Sequence, residues 1–168
     1  DPGIIDPGLT ELGQRQAAAT AKALAGSGAH TLLASPYRRA IQTAQIISDA
    51  LNLRVTIDPL IGERAAFTCD EGTPGSELAT IWPDLDFAHI PDIWWPAIEE
   101  SEEALDIRGR SFRDRMRGHR EWDGVVVVTH WGFIRTLTGH KAGNCTAVRF
   151  DPHTDHPGGG TVVSIPDV

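Results

Sequence analysis

Residues 125 to 135 read Val125-Val126-Val127-Val128-Thr129-His130-Trp131-Gly132-Phe133-Ile134-Arg135. Four valines without polar alternation suit a strand packed on both faces, and such strands belong to parallel sheets covered by helices on each side. In those sheets ligands bind beyond the carboxyl ends of the strands. His130 falls at that edge. A helix starting near Gly132 would aim its unpaired N–H groups at the same place, which suits an anion.

Outward from this stretch, helix and strand patterns alternate. Thr10 can cap a helix that runs from Glu11 to Leu24, with Gly26 and Gly28 as stop signals. Thr31 to Ala34 predicts a short strand closed by Ser35-Pro36. Serine as cap with proline in the first turn predicts a helix through Ala40, Ile41, Ala44, Ile47 and Leu51, ending near Asn52. Arg54 to Ile57 is a second strand candidate, followed by an irregular loop from Asp58 to Thr73. The stretch 74–96 carries Trp82, Trp94, Trp95 and four prolines, which predicts a folded excursion. Its tryptophans are more readily its own core than contacts for a ligand.

Glu99 to Arg120 predicts a long charged helix with Ala104, Ile107, Phe112 and Met116 facing inward. A short helix over 132–137 and strands over 146–150 and 161–165 complete the pattern. The expected fold is α/β, a three-layer sandwich with a mostly parallel central sheet flanked by helices. We expect one domain over 1–168, with 58–98 as an inserted loop or cap region.

The chain has 168 residues, 40% hydrophobic and 23% charged, the composition of an ordinary globular domain. Fifteen basic against 23 acidic residues give a net charge of −8, which argues against nucleic acid or an anionic membrane as partner. A phosphate site here needs a local cationic cluster. No stretch approaches the ~20 apolar residues of a membrane span, and the start is neither basic nor apolar enough for a secretion signal, so cytoplasm is the expected location. Cys69 and Cys145 are expected to be free thiols, and no metal-type spacing accompanies them.

Two strand-to-helix junctions carry the chemistry. Ala34-Ser35-Pro36-Tyr37-Arg38-Arg39 places two arginines in the first turn of a helix, and Thr129-His130-Trp131-Gly132 places a histidine at a strand end. If both strands are parallel members of one sheet, a guanidinium fork and an imidazole share an edge, forming a pocket for phosphate or carboxylate. Arginine in a first helical turn opposes the helix dipole, and a bound anion would offset that cost. Glu63, after Leu60-Ile61-Gly62, is a carboxyl that burial near an anion could turn into a proton donor. Read from spacing alone, Glu63 is more readily a solvated partner of a nearby arginine.

The Gly8-Leu9-Thr10, Gly13 and Gln16-Ala17 series, the Ser35-Pro36, Arg39-Ala40 and Gln42-Thr43-Ala44 series, Glu63 after an apolar pair, and Thr129-His130 with Gly132 occur in a fixed order. In order and spacing this resembles the histidine phosphatase superfamily, also called phosphoglycerate mutase-like, over nearly the whole chain. The Cys69-Asp70 and Gly72 stretch looks more like phosphatase-type members than like glycolytic mutases. The resemblance implies a phosphatase that hydrolyses a small-molecule phosphomonoester, through a phosphohistidine and without metal or other cofactor. It implies Arg39 as a phosphate clamp, His130 as the second, supporting histidine and Glu63 as proton donor. Arg38, Trp131 and Gly132 are expected to line the substrate site.

The family's nucleophile lies in an Arg-His-Gly triplet at the end of a first strand, and this sequence contains no such triplet. That strand pairs beside the equivalent of Val125 to Val128, which without it would lose a partner and expose unpaired backbone. The expectation is therefore that the strand and its histidine are encoded upstream of residue 1. The alternatives are a catalytically inactive phosphate-binding module of the same fold and, less readily, a mutase.

Overall fold

The computed structural model describes residues 3–163 and Ile165. Asp1 and Pro2, in the expected opening loop, and Ser164, inside the expected last strand, lie outside the described residues. Helix α1 (Glu11–Leu24) begins where the Thr10 hydroxyl accepts the Gly13 N–H at 3.1 Å, satisfying one of the free donors of the first turn. Helix α2 (Arg38–Leu51) stops at Asn52, whose φ of 53° lies in the left-handed region and returns its N–H to Ser48 O. The helix starts at Arg38 rather than under a Ser35 cap. Tyr37 holds the cap position with no side-chain bond, and the carboxylate of Asp6 accepts the Arg38 N–H at 2.9 Å instead.

Strands β1 (Thr31–Ala34), β2 (Val55–Ile57) and β3 (Val125–Val128) form a parallel sheet in the order β2-β1-β3, with Ala34 level with both Ile57 and Val128. Alternation along the strands then sets the layers. Leu32, Ala34, Val126 and Val128 face the side packed by Ala21 of α1 and by Ile41 and Ala44 of α2. Leu33, Val125 and Val127 face Phe112 and Met116 of α4 (Glu102–Arg117) and Phe133 and Leu137 of α5 (Trp131–Thr138). This is the three-layer α/β arrangement that the valine run implied. Only Val128 of the four valines is buried, because among the described residues β3 pairs with β1 alone and its other edge carries no strand. Strands β4 (Ala147–Phe150) and β5 (Gly160–Val163) form a separate antiparallel pair. No helix among the described residues is long and apolar enough to cross a membrane.

The stretch after β2 contains two 3-10 turns, Pro59–Ile61 and Thr68–Asp70, and α3 (Gly75–Ile81). Leu78, Phe87, Ile90 and Trp94 pack into the core on the α2 side. Trp94 donates its indole N–H to Thr73 O at 2.8 Å, and Trp82 donates to Gln45 Oε1 at 2.9 Å. These two rings hold the excursion against the body, as the core reading of the tryptophans anticipated.

Helix α4 is shorter than expected at both ends and turned relative to the expectation. Ser101 caps it through the Ala104 N–H. Its inward stripe is Leu105, Gly109, Phe112 and Met116, while Ile107 is 61% exposed. Arg113 is 1% exposed: its guanidinium donates to the carbonyls of Leu137, Thr154 and Gly158 at 2.6, 2.9 and 2.7 Å, so the buried cation is satisfied by backbone oxygens. The two apolar residues of α4 should respond differently to truncation. Phe112→Ala is expected to cost about 3–5 kcal/mol and Ile107→Ala less than about 0.5 kcal/mol in urea unfolding; equal costs would contradict this face assignment.

Candidate active site

The carboxyl ends of the three parallel strands lead into segments that are stitched to one another. Ser35 N–H donates to Val128 O at 3.1 Å, Asp58 N–H to Ala34 O at 2.9 Å, and Thr129 Oγ1 to Ile61 O at 2.6 Å. The segments bearing Arg39, Glu63 and His130 are thereby held to one edge of the sheet.

His130 occupies the cap position of α5 and is 7% exposed. Its Nε2 lies 2.8 Å from Ser35 Oγ, and Tyr37 stands edge-on to it with ring centres 5.0 Å apart. Burial, reinforced by the charges of Arg39 and Arg108, holds its pKa well below the usual 6.5, so the imidazole is neutral. Arg39, in the first turn of α2, lies over the Tyr37 ring at 4.6 Å. It donates to Cys69 O at 3.1 Å and pairs with Asp70 at 3.3 Å. The other Asp70 oxygen accepts the N–H groups of Ala66 and Phe67, which fixes the carboxylate and through it the guanidinium. Tyr37 also donates its hydroxyl to Asp70 O at 2.5 Å, closing this cluster.

Glu63 follows the first 3-10 turn. Its Oε1 accepts two backbone N–H groups, from Arg64 and from Gly132, each at 2.8 Å. Burial raises the carboxyl above its ordinary pKa against the effect of these bonds, and the nearby negative charge of Asp70 pushes the same way. A carboxyl held in this way keeps its proton to higher pH, which is what a proton donor requires. The charge of Arg39 acts on both His130 and Glu63, so the three groups share one electrostatic environment.

The expected substrate-lining residues behave differently from one another. Arg38 has a buried Nε with no hydrogen-bond partner among the described residues. Trp131 is 49% exposed, with the Arg135 guanidinium 5.3 Å from its ring. Gly132 departs from expectation: its N–H is donated to Glu63 and not held free for an anion. A Cβ at this position would overlap Glu63 Oε1, so the close approach requires glycine. The other histidines have partners elsewhere. His89 contacts Ile57 O, His140 contacts Gly160 O and His156 contacts Asp106, each at 2.8 Å, while His30 contacts Thr31 at 3.1 Å.

Several contacts that shape the site were not legible in the sequence. Ser35 and His130 are 95 positions apart, and Asp6, which joins Arg38 N–H to Thr73, is fully buried. Asp70 was visible only as part of a family-like stretch.

Residues 2–159 match the sequence profile of the histidine phosphatase superfamily, branch 1. The chain belongs to this superfamily. It is 29% identical over 158 residues to glucosyl-3-phosphoglycerate phosphatase of Mycolicibacterium vanbaalenii, covering 84% of this chain and 66% of that protein. It is 36% identical over 138 residues to a bifunctional protein of Mycobacterium tuberculosis, covering 80% of this chain but 37% of the relative. The chain thus spans less than two thirds of the length of these relatives. Among solved structures, mycobacterial glucosyl-3-phosphoglycerate phosphatase complexed with VO3 superposes with a TM-score of 0.55 at 29% identity, covering 77% of this chain and 66% of that one. The ecdysone phosphate phosphatase of Bombix mori, in complex with tungstate, shares the fold with a TM-score of 0.64 at 21% identity, covering 96% and 73%.

For this histidine phosphatase superfamily member, the neutral state of His130 has a consequence for stability. The folded pKa is depressed below 6.5, so the unfolded chain takes up the proton first as pH falls. The stabilising preference for the neutral ring is present above that value and is lost as pH falls from about 7 towards 5. The urea midpoint of the native protein should drop over this interval, and drop less in His130→Gln; equal drops would show that His130 is not the group responsible.

Proposed function

We propose that this chain forms the greater part of a phosphatase that hydrolyses a small-molecule phosphomonoester through a phosphohistidine, without a metal. What carries the reading is the meeting of a guanidinium, a neutral imidazole and a carboxyl of raised pKa at adjoining ends of parallel strands. Arg39 binds and neutralises phosphoryl oxygens, His130 donates a hydrogen bond to another, and the unpartnered Nε of Arg38 supports a place for it beside them. Trp131, half-exposed at the start of α5, lies at the mouth against the organic part of the substrate.

In the first step a histidine nitrogen bonds to phosphorus, the ester P–O bond breaks, and the Glu63 proton passes to the departing oxygen. In the second, a water oxygen bonds to phosphorus while Glu63 takes its proton back, the P–N bond breaks to free the histidine, and inorganic phosphate leaves. We assign the attacking histidine to a strand preceding residue 1 that pairs with the open edge of β3. The half-buried valines of β3 support this, since among the described residues one edge of this apolar strand carries no partner, which makes it a place for another strand. Names of relatives support hydrolysis over phosphoryl shuttling between substrate positions.

The native full-length protein is expected to release phosphate from p-nitrophenyl phosphate and to carry an acid-labile phosphohistidine when quenched during turnover. Arg39→Ala and His130→Ala should each lower kcat/KM by about 10²–10³. Unchanged turnover in both variants would contradict the proposal. Tight phosphate binding with neither turnover nor phosphohistidine would favour a phosphate-binding module without catalysis.

A further inference from the structure

Three carbonyl groups in the segment that leads into Glu63, those of Leu60, Gly62 and Glu63 itself, accept from one side chain. Arg108, on α4, donates through Nη1 to Leu60 O at 2.8 Å and to Gly62 O at 3.0 Å, and through Nη2 to Glu63 O at 3.2 Å. Its remaining donors go to Glu100 in a two-pronged pair, at 2.8 and 2.7 Å. The Glu100 side chain is 4% exposed and that of Arg108 is 17% exposed. The Phe133 ring lies 5.6 Å from the guanidinium on the α5 side.

This arrangement is more than stability alone accounts for. A buried ion pair returns little net stability, because removing both ions from water costs about as much as their attraction returns. A rigid fork that holds three backbone oxygens, by contrast, fixes the chain in space. Here the chain so fixed is the one that carries Glu63. The backbone of Glu63 is held by Arg108 from one side, while its carboxyl is held by the Gly132 N–H from the other. Glu100 is itself anchored, its N–H donating to Ala65 O at 2.8 Å just beyond Glu63.

We propose that Arg108, oriented by Glu100, is a positioning residue that sets the Glu63 carboxyl at the distance needed to protonate the departing oxygen. The inference rests on the reading of Glu63 as proton donor. The guanidinium donors of Arg108 are all committed to Glu100 and to the carbonyls of Leu60, Gly62 and Glu63, so it acts through the backbone of residues 60–63. Lysine cannot replace it, since a single ammonium does not reproduce a planar fork that serves three carbonyls and a carboxylate together.

The test compares two substrates on the native full-length protein. p-Nitrophenyl phosphate expels a stabilised anion that needs no proton, whereas 2-phenylethyl phosphate expels an alkoxide that does. Arg108→Lys should lower kcat for the alkyl ester by about 10–10²-fold and for the aryl ester by no more than about 3-fold. Glu63→Gln should show the same preference with a larger loss, and the double variant should lose no more on the alkyl ester than Glu63→Gln alone. If Arg108→Lys fails to fold, Glu100→Gln, which leaves the guanidinium in place, should reproduce the preference at smaller size. Equal losses on both substrates in the Arg108 and Glu100 variants, with a selective loss in Glu63→Gln, overturn the positioning role while Glu63 keeps its own. Equal losses in Glu63→Gln itself overturn both.

Discussion

One carboxyl oxygen, Glu63 Oε1, accepts the N–H of Gly132 across the junction between the loop after β2 and the first turn of α5. Much of the site follows from that bond. It ties two strand ends that are separated by 69 positions in the chain, and it requires that residue 132 have no side chain. It also takes the α5 N-terminal donor that an anion would otherwise use. Under the proposed function, charge complementarity to phosphate then has to come from side chains, Arg39 first among them, with His130 neutral beside it. The same closeness buries Glu63 enough to raise its pKa, so a bond that would by itself favour the ionised form is outweighed by loss of water.

The architecture around this bond is economical in charge. Arg39 is steadied by Asp70, and Asp70 by two backbone N–H groups, so the guanidinium keeps a fixed position while part of its charge is already compensated. The chain carries a net charge of −8, so under the proposed function a phosphate is met by individual side chains at this sheet edge and not by a basic surface. Asp6, fully buried, joins the α2 N-terminus to Thr73, and Thr73 O in turn accepts the Trp94 indole N–H, so α2 and the excursion share one set of bonds.

What was legible in the sequence was what is encoded locally. The valine run, the Thr10 cap and the stop at Asn52 depend on residues within a turn or two of one another, and they stand where the pattern placed them. His130 and Arg39 were legible because strand ends and first helical turns are marked by their neighbours. The rest depends on pairs distant in the chain. Ser35 was read as a cap from its neighbour Pro36, whereas its hydroxyl meets His130. The α4 stripe was read with Ile107 inside, whereas the buried positions Leu105, Gly109, Phe112 and Met116 follow one another at helical spacing, and beside them Arg113 is buried against carbonyl acceptors that apolar periodicity does not record. Arg108 and Glu100 lie in the stretch read only as a long charged helix, and the course of residues 60–63 past Arg108 supplies the partners that the sequence did not show.

The central claim is that the ends of β1, β2 and β3 assemble one phosphoryl site from Arg39, His130 and Glu63. A crystal structure of the native full-length protein grown with orthovanadate tests it most directly. The account predicts a single vanadate within hydrogen-bonding distance of the Arg39 guanidinium and the His130 ring, with the Glu63 carboxyl facing one of its oxygens. Vanadate bound elsewhere, or bound at Arg39 with His130 and Glu63 turned away from it, would contradict that claim.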